Sequence, residues 1–110
     1  MQKNPMSGWR KIGSGTGTQS IPITETTGTY RVVAIVDTEN MFTLDIVADH
    51  LTASLVYPQI GQIATTSSYI GVAMGATNTY IKGVQAYKNG TNVTNTLQFT
   101  IYHKAENYES

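Results

Sequence analysis

Apolar and polar residues alternate with a period of two along most of this chain, and no stretch of useful length carries the 3.6-residue period of a helix. The alternation is clearest from Val84 to Lys104, where an Asn89-Gly90 pair interrupts it. Asn-Gly tolerates φ > 0 at both central positions of a type I′ turn, so the pair predicts a two-residue hairpin loop. Lys88 then faces Thr91, and Ala86 faces Val93. Ala86, Val93, Leu97, Phe99 and Ile101 fall on one side of the chain, and Tyr87, Asn92, Gln98, Thr100 and Tyr102 on the other.

The same reading marks further strands. Residues 9–12 form a short first strand and the glycine-rich 13–17 a turn. Residues 19–23 form an edge strand, because Pro22 cannot donate to a ladder. Residues 30–36 are the most apolar. Val32, Ala34 and Val36 line one face, Val33 and Ile35 the other, so this strand should be central or covered on both sides. After a turn at 37–40, residues 41–47 place Phe42, Leu44 and Ile46 inward. Strands are also expected at 53–57, 62–66 and 69–74, with a break at 58–61 and a loop at 75–79. In 80–87, Ile81 has the opposite parity from Val84 and Ala86. A bulge at Gly83 would bring all three to one face. About eight short strands with frequent turns predict an all-β fold, an antiparallel β-sandwich with a jelly-roll-like character. Residues 1–7 read as a disordered lead-in, 8–106 as a single domain and 107–110 as a tail.

Composition narrows the function. There are no cysteines, so disulfides and thiolate metal sites are excluded. Charged residues make up 13% of the chain and cancel to zero net charge, which gives no basic patch for nucleic acid. No apolar run is long enough for membrane insertion, and the first five residues are too polar to begin a signal peptide. Hydroxyl and amide side chains take the place of charge, a surface common in extracellular β-proteins and viral fibres.

Catalytic constellations are not legible. His103 ends a strand with no partner at ligand spacing and reads as structural. His50 follows Asp49 with Asp45 upstream, yet no nucleophile-elbow serine or metal-binding histidine pair accompanies them. Asp37, Glu39 and Asn40 share a turn that reads as hydrogen-bonded rather than calcium-binding. Nothing requires two carboxylates to face each other as in a glycosidase. The chain is therefore expected not to be an enzyme and to need no cofactor or metal. The seven tyrosines are the best ligand candidates, since a phenol offers a flat apolar face and a hydroxyl. Tyr57, Tyr69, Tyr80 and Tyr87 lie near strand ends, and Asn78 and Asn92 complete the candidate set. Trp9 reads as a core or interface anchor.

The Trp9-to-Gly17 opening, the apolar strand 30–36, the Asn89-Gly90-Thr91 hairpin and the Tyr102-His103-Lys104 ending together resemble the small C-terminal β-modules of tail-fibre and receptor-binding proteins of phages and prophages of Gram-positive hosts. The resemblance spans residues 8–104. It implies a homotrimeric module at a virion appendage, made in the bacterial cytosol, that binds a host cell-surface carbohydrate without catalysis. A structural trimerisation or capping module of the fibre is the alternative. A carbohydrate-binding module of a secreted polysaccharide-active protein is a more distant one. Some of the scattered apolar residues Met41, Val47, Val56 and Ile60 are expected to form a patch buried at a subunit interface, the alternative being that loops cover them.

Overall fold

The computed structural model describes residues 8–56, the backbone of 59–64, and residues 69–106. Nine strands follow one another: β1 Trp9–Thr16, β2 Ser20–Pro22, β3 Thr29–Val36, β4 Asn40–Val47, β5 Gln59–Ala64, β6 Tyr69–Ala76, β7 Tyr80–Lys88, β8 Thr91–Asn92 and β9 Gln98–Lys104. They form an antiparallel β-sandwich. One sheet has the order β1-β9-β3-β4, and the other β2-β7-β6-β5, with β8 added beside β7. β1 beside β9 and β2 beside β7 is the jelly-roll arrangement of outer strands. The inner strands instead make a β3–β4 hairpin and a β5–β6–β7 meander.

The core is the set of inward alternate positions. Tyr30, Val32, Ala34 and Val36 of β3 pack against Phe99 and Ile101 of β9, and face Ile70, Val72, Met74 and Ala76 of β6 with Ile81 and Ala86 of β7. β3 lies inside its sheet, between β9 and β4, but only its inner face is buried: Val33 and Ile35 stand half-buried on the outer one. β2 is an edge strand with Pro22 at its end.

The Asn89-Gly90 turn forms as expected. Both residues have positive φ, 53° and 81°, and Lys88 pairs Thr91. The hairpin is short, however. After Asn92 the chain makes a 3-10 turn at Thr94–Thr96, and β9 crosses to the opposite sheet between β1 and β3. The face assignment survives this crossing. Leu97, Phe99 and Ile101 are buried, while Gln98 is exposed and Thr100 and Tyr102 are half-buried.

Four local expectations need correction, the first being the break at 58–61, since β5 already begins at Gln59. Residues 13–16 are strand, not turn, because the glycines of β1 make room for neighbours: a Cβ on Gly15 would lie 2.8 Å from Phe99 Cζ. The chain reverses only at Gly17–Thr18, where φ of Gly17 is 58°. The bulge in β7 exists, but its extra residue is Val84, since Ala73 pairs Gln85 and Met74 pairs Gly83. Ile81, Gly83 and Ala86 therefore point inward, and Val84 turns outward beside Gly75. Within the expected 53–57 strand, Val56 makes a single bridge to Ala76. The end of that strand at Tyr57, and residues 65–66, lie outside the described residues.

Two polar clusters fasten the loops. The Tyr30 hydroxyl donates to the Glu25 carbonyl at 2.8 Å and accepts from the Glu25 N–H at 2.9 Å. His103 points inward, donates from Nε2 to the Thr27 carbonyl at 2.7 Å and packs its ring 4.9 Å from that of Tyr30. At the other end, Lys88 bonds Asp37 at 2.6 Å, which ties the β3–β4 turn to the β7–β8 hairpin. That carboxylate holds the Lys88 pKa above its ordinary value. Asp37 and Thr38 both adopt left-handed backbone, φ 53° and 65°. The Asp37 N–H is secured by Thr96 Oγ1 at 3.0 Å.

Burial raises the Tyr30 pKa above the ordinary 10.0, against the opposing effect of its hydrogen bond to Glu25. The folded chain then holds this proton more tightly than the unfolded chain. Its contribution is intact below pH 10 and falls as pH rises above that value. Tyr30→Phe is expected to cost about 1–2 kcal/mol at neutral pH through the lost hydrogen bonds. The same variant should lose less further stability between about pH 8 and about pH 11 than the parent does. Urea unfolding at the two pH values checks both statements.

Candidate functional site

The outward side chains of the four-stranded sheet form a regular grid fixed by strand register. Trp9, Lys104, Thr29 and Val47 make one row, and Lys11, Tyr102, Arg31 and Asp45 the next. Ser14, Thr100, Val33 and Thr43 make the third, and Thr16, Gln98, Ile35 and Met41 the last. A bulge at Ile12 makes this possible: Lys11 pairs Tyr102 and Gly13 pairs Ile101, so Ser14 and Thr16 join Trp9 and Lys11 on the outer side.

Two shallow, open depressions mark this face. The larger, about 500 Å³, is lined by Ser14, Thr16, Gln19, Gln98, Thr100 and Tyr102, with Val33 and Ile35. No charged side chain lines it. Hydroxyls and amides surround an aliphatic floor, and a half-buried tyrosine stands at one end. The smaller, about 380 Å³, lies at the opposite end of the face. Its lining includes Trp9, Val47, Lys104, Asp49 and Glu106.

The charged row between them is organised by one ion pair. Arg31 makes a two-pronged ion pair with Asp45, at 2.8 Å from Nε and 2.9 Å from a terminal nitrogen. The hydrogen bond to Asp45 raises the guanidinium pKa further, so Arg31 stays charged. The same guanidinium lies 4.3 Å from the centre of the Trp9 ring, with the Lys104 ammonium at 5.7 Å. Trp9 is thus not a core residue. It sits half-buried on the outer surface, held by cations.

The sequence-derived candidates fall elsewhere. Tyr69, Tyr87 and Asn92 come together on the outer face of the other sheet, where Tyr87 pairs both Gly71 and Asn92. Tyr69 and Tyr87 are 44% and 38% exposed. Asn92 Oδ1 accepts from the Thr94 N–H at 2.9 Å and so shapes the hairpin exit. Tyr80, paired with Pro22, sits seven residues along β7 from Tyr87, roughly 23 Å away at the usual rise per residue. Asn78 lies in the adjoining loop, where its N–H donates to the Thr52 carbonyl. Tyr57 lies outside the described residues.

The two histidines do not meet. His103 is in the core, and His50 is exposed, 3.7 Å from its neighbour Asp49. Among the described residues, no group of three or more His, Cys, Asp or Glu is placed to hold a metal ion. Among the same residues, no helix is long and apolar enough to cross a membrane.

Trp9, Tyr102, Gln98 and Thr100 escaped the sequence reading as ligand residues because their convergence depends on β1 and β9, about ninety positions apart in the chain, becoming neighbours. The available signal was the second apolar face of β3, Val33 and Ile35, which forms the floor of the larger depression. Comparisons with protein-family models, with curated proteins and with solved structures find no match.

Proposed function

We propose that this domain is a non-catalytic adhesion module that binds a cell-surface glycan on the outer face of its four-stranded sheet, as a receptor-binding tip of a phage fibre would. The observation that carries this reading is the uncharged depression beside Tyr102. A pyranose presents one apolar face and a ring of equatorial hydroxyls. The Val33–Ile35 floor and the Tyr102 ring match the first, and Ser14, Thr16, Gln19, Gln98 and Thr100 match the second. Shallow, polar-rimmed sites of this kind bind neutral sugars with few contacts per unit, so useful affinity comes from multivalent display.

A glycan array probed with a multivalent form of the domain tests the reading. Binding to one group of bacterial-surface glycans is expected. Tyr102→Ala should weaken it roughly tenfold, about 1.4 kcal/mol. Tyr87→Ala, on the opposite sheet, should leave it unchanged. Absence of binding by the parent, or equal binding by Tyr102→Ala, would refute the proposal.

A second reading, a structural module of a fibre, is favoured by one observation. Met41 is 65% exposed and Val47 is 44% exposed at the two ends of β4, with Val56 47% exposed elsewhere. Thr43 and Asp45 separate Met41 from Val47, so on a single chain they are not one patch. Deleting the domain from its parent fibre separates the two readings. Loss of adsorption with intact assembly supports adhesion, and failed assembly supports the structural role.

A further inference from the structure

We infer that β4 is a self-pairing edge, through which two copies of the chain join their four-stranded sheets into one continuous eight-stranded sheet about a twofold axis at Leu44. The edges of the sandwich are not treated alike. β1, β4, β2 and β5 are the outer strands of the two sheets. Exposed edges offer unpaired backbone donors and acceptors, and stable monomers blunt them with bulges, prolines, lysines or shortness. β1 carries a bulge at Ile12 and the exposed cations Arg10 and Lys11. β2 is three residues long and ends in Pro22. β5 has an irregular register between Gln59 and Gly61.

β4 has none of these devices. It is eight residues long, pairs β3 in unbroken register, and contains no Pro, Gly, Lys or Arg. Its one charge, Asp45, is drawn onto Arg31 of its own sheet. Among the described residues, β3 is its only ladder partner.

The sequence of β4 is also self-complementary. Antiparallel pairing across a twofold requires each residue to meet one of the same facing, so the axis must pass through a residue rather than between two. With the axis at Leu44, Met41 meets Val47 of the partner subunit, and Thr43 meets Asp45 of the partner subunit, all on the outer face. Phe42 meets Ile46 of the partner subunit on the inner face, and Leu44 meets its own copy. The two most exposed apolar residues of the strand thus cover each other. Leu44 and Ile46, inward yet only half-buried in the single chain, gain cover as well. The carboxylate of Asp45 is set opposite a hydroxyl, not a like charge. A threefold axis cannot pair an edge with itself, so this strand argues for a dimer rather than the trimer that the resemblance implies. The larger depression borders β1, β9 and β3, away from this edge, and stays open in the dimer.

Sedimentation at tens of micromolar provides the test. The parent is expected at twice the 12.0 kDa chain mass. Met41→Lys combined with Val47→Lys puts like charges across the axis and should return the monomer mass, with an unchanged far-ultraviolet spectrum because both side chains already face solvent. Met41→Glu combined with Val47→Lys sets opposite charges across the axis and should keep the dimer. Since the chain has no cysteine, Leu44→Cys should give a disulfide-linked dimer on oxidation. A parent that sediments as a monomer at every concentration overturns the inference. So does an oligomer, dimeric or trimeric, whose mass is indifferent to lysines at Met41 and Val47. Glycan binding by a monomeric parent would leave the adhesion reading standing while removing this one.

Discussion

Gly83→Ala is expected to destabilise the domain by about 3 kcal/mol, near the top of the range for adding a single methyl group. Gly83 faces inward from β7 at the point where three segments meet. The β1–β2 turn is anchored by the Gly17 N–H, which donates to the Leu97 carbonyl at 2.9 Å. A Cβ on Gly83 would collide with the Gly17 carbonyl oxygen and lie 3.0 Å from Leu97 Cδ2. Backbone cannot swing aside as a flexible side chain can, so the turn, β7 and the start of β9 must separate. Gly83 itself does not have positive φ, so the cost is collision rather than conformation. Gly90 supplies the contrast. It has φ 81° and nothing within 4 Å of an added Cβ. Gly90→Ala should therefore cost only about 1 kcal/mol, from backbone strain alone. Urea unfolding of both variants, with unchanged denaturant slope, checks the difference. Equal costs would show that the close approach of Gly83 to the β1–β2 turn is not a constraint.

The largest cost of all is expected for Phe99→Ala, about 3–5 kcal/mol. Phe99 is 2% exposed and its ring tip occupies the space that the absent side chain of Gly15 leaves. The two positions are one packing solution. Gly15→Ala alone should cost about 1–3 kcal/mol, because the new methyl would sit 2.8 Å from Phe99 Cζ. In a Phe99→Ala background the tightest contact is gone, leaving only the flexible ends of Gln19 and Ile21 at 3.2 Å, and Gly15→Ala should cost much less. The coupling between the sites should then exceed about 1 kcal/mol. Additive costs would mean that Gly15 is kept for another reason, such as its approach to Ile21 Cδ1 at 3.2 Å.

These glycines show where sequence reading stops. The alternation of β3 and β9, the edge proline in β2 and the Asn89-Gly90 turn rest on neighbours in sequence, and each was legible. Gly15 reads as turn because glycine in a strand looks the same as glycine in a loop until its partner across the fold is known. The β7 bulge was visible as a fault in parity. Its extra residue could not be chosen between Gly83 and Val84 without the β1–β2 turn pressing on Gly83. Tyrosines near loops drew attention as ligand residues because exposure is easier to infer than convergence. The outer grid needed four strands in register and a bulge at Ile12 to bring Trp9 to the surface and Tyr102 beside Thr100 and Ser14.

In an edge-paired dimer the two outer faces lie on the same side of one sheet, because Met41 and Val47 share that face. Two depressions would then look outward together. On the proposed adhesion function, weak sites held this way would gain through effective concentration rather than through new contacts.

On the proposed function, a sugar binds the outer face of the four-stranded sheet. Amide chemical-shift mapping with a glycan selected from the array tests it most directly. The perturbed amides are expected to cluster at Ser14–Thr16, Val33–Ile35 and Gln98–Tyr102, with Tyr69, Tyr87 and Asn92 unmoved. Perturbations confined to Tyr69, Tyr87 and Asn92 would place the site on the other sheet and contradict the account.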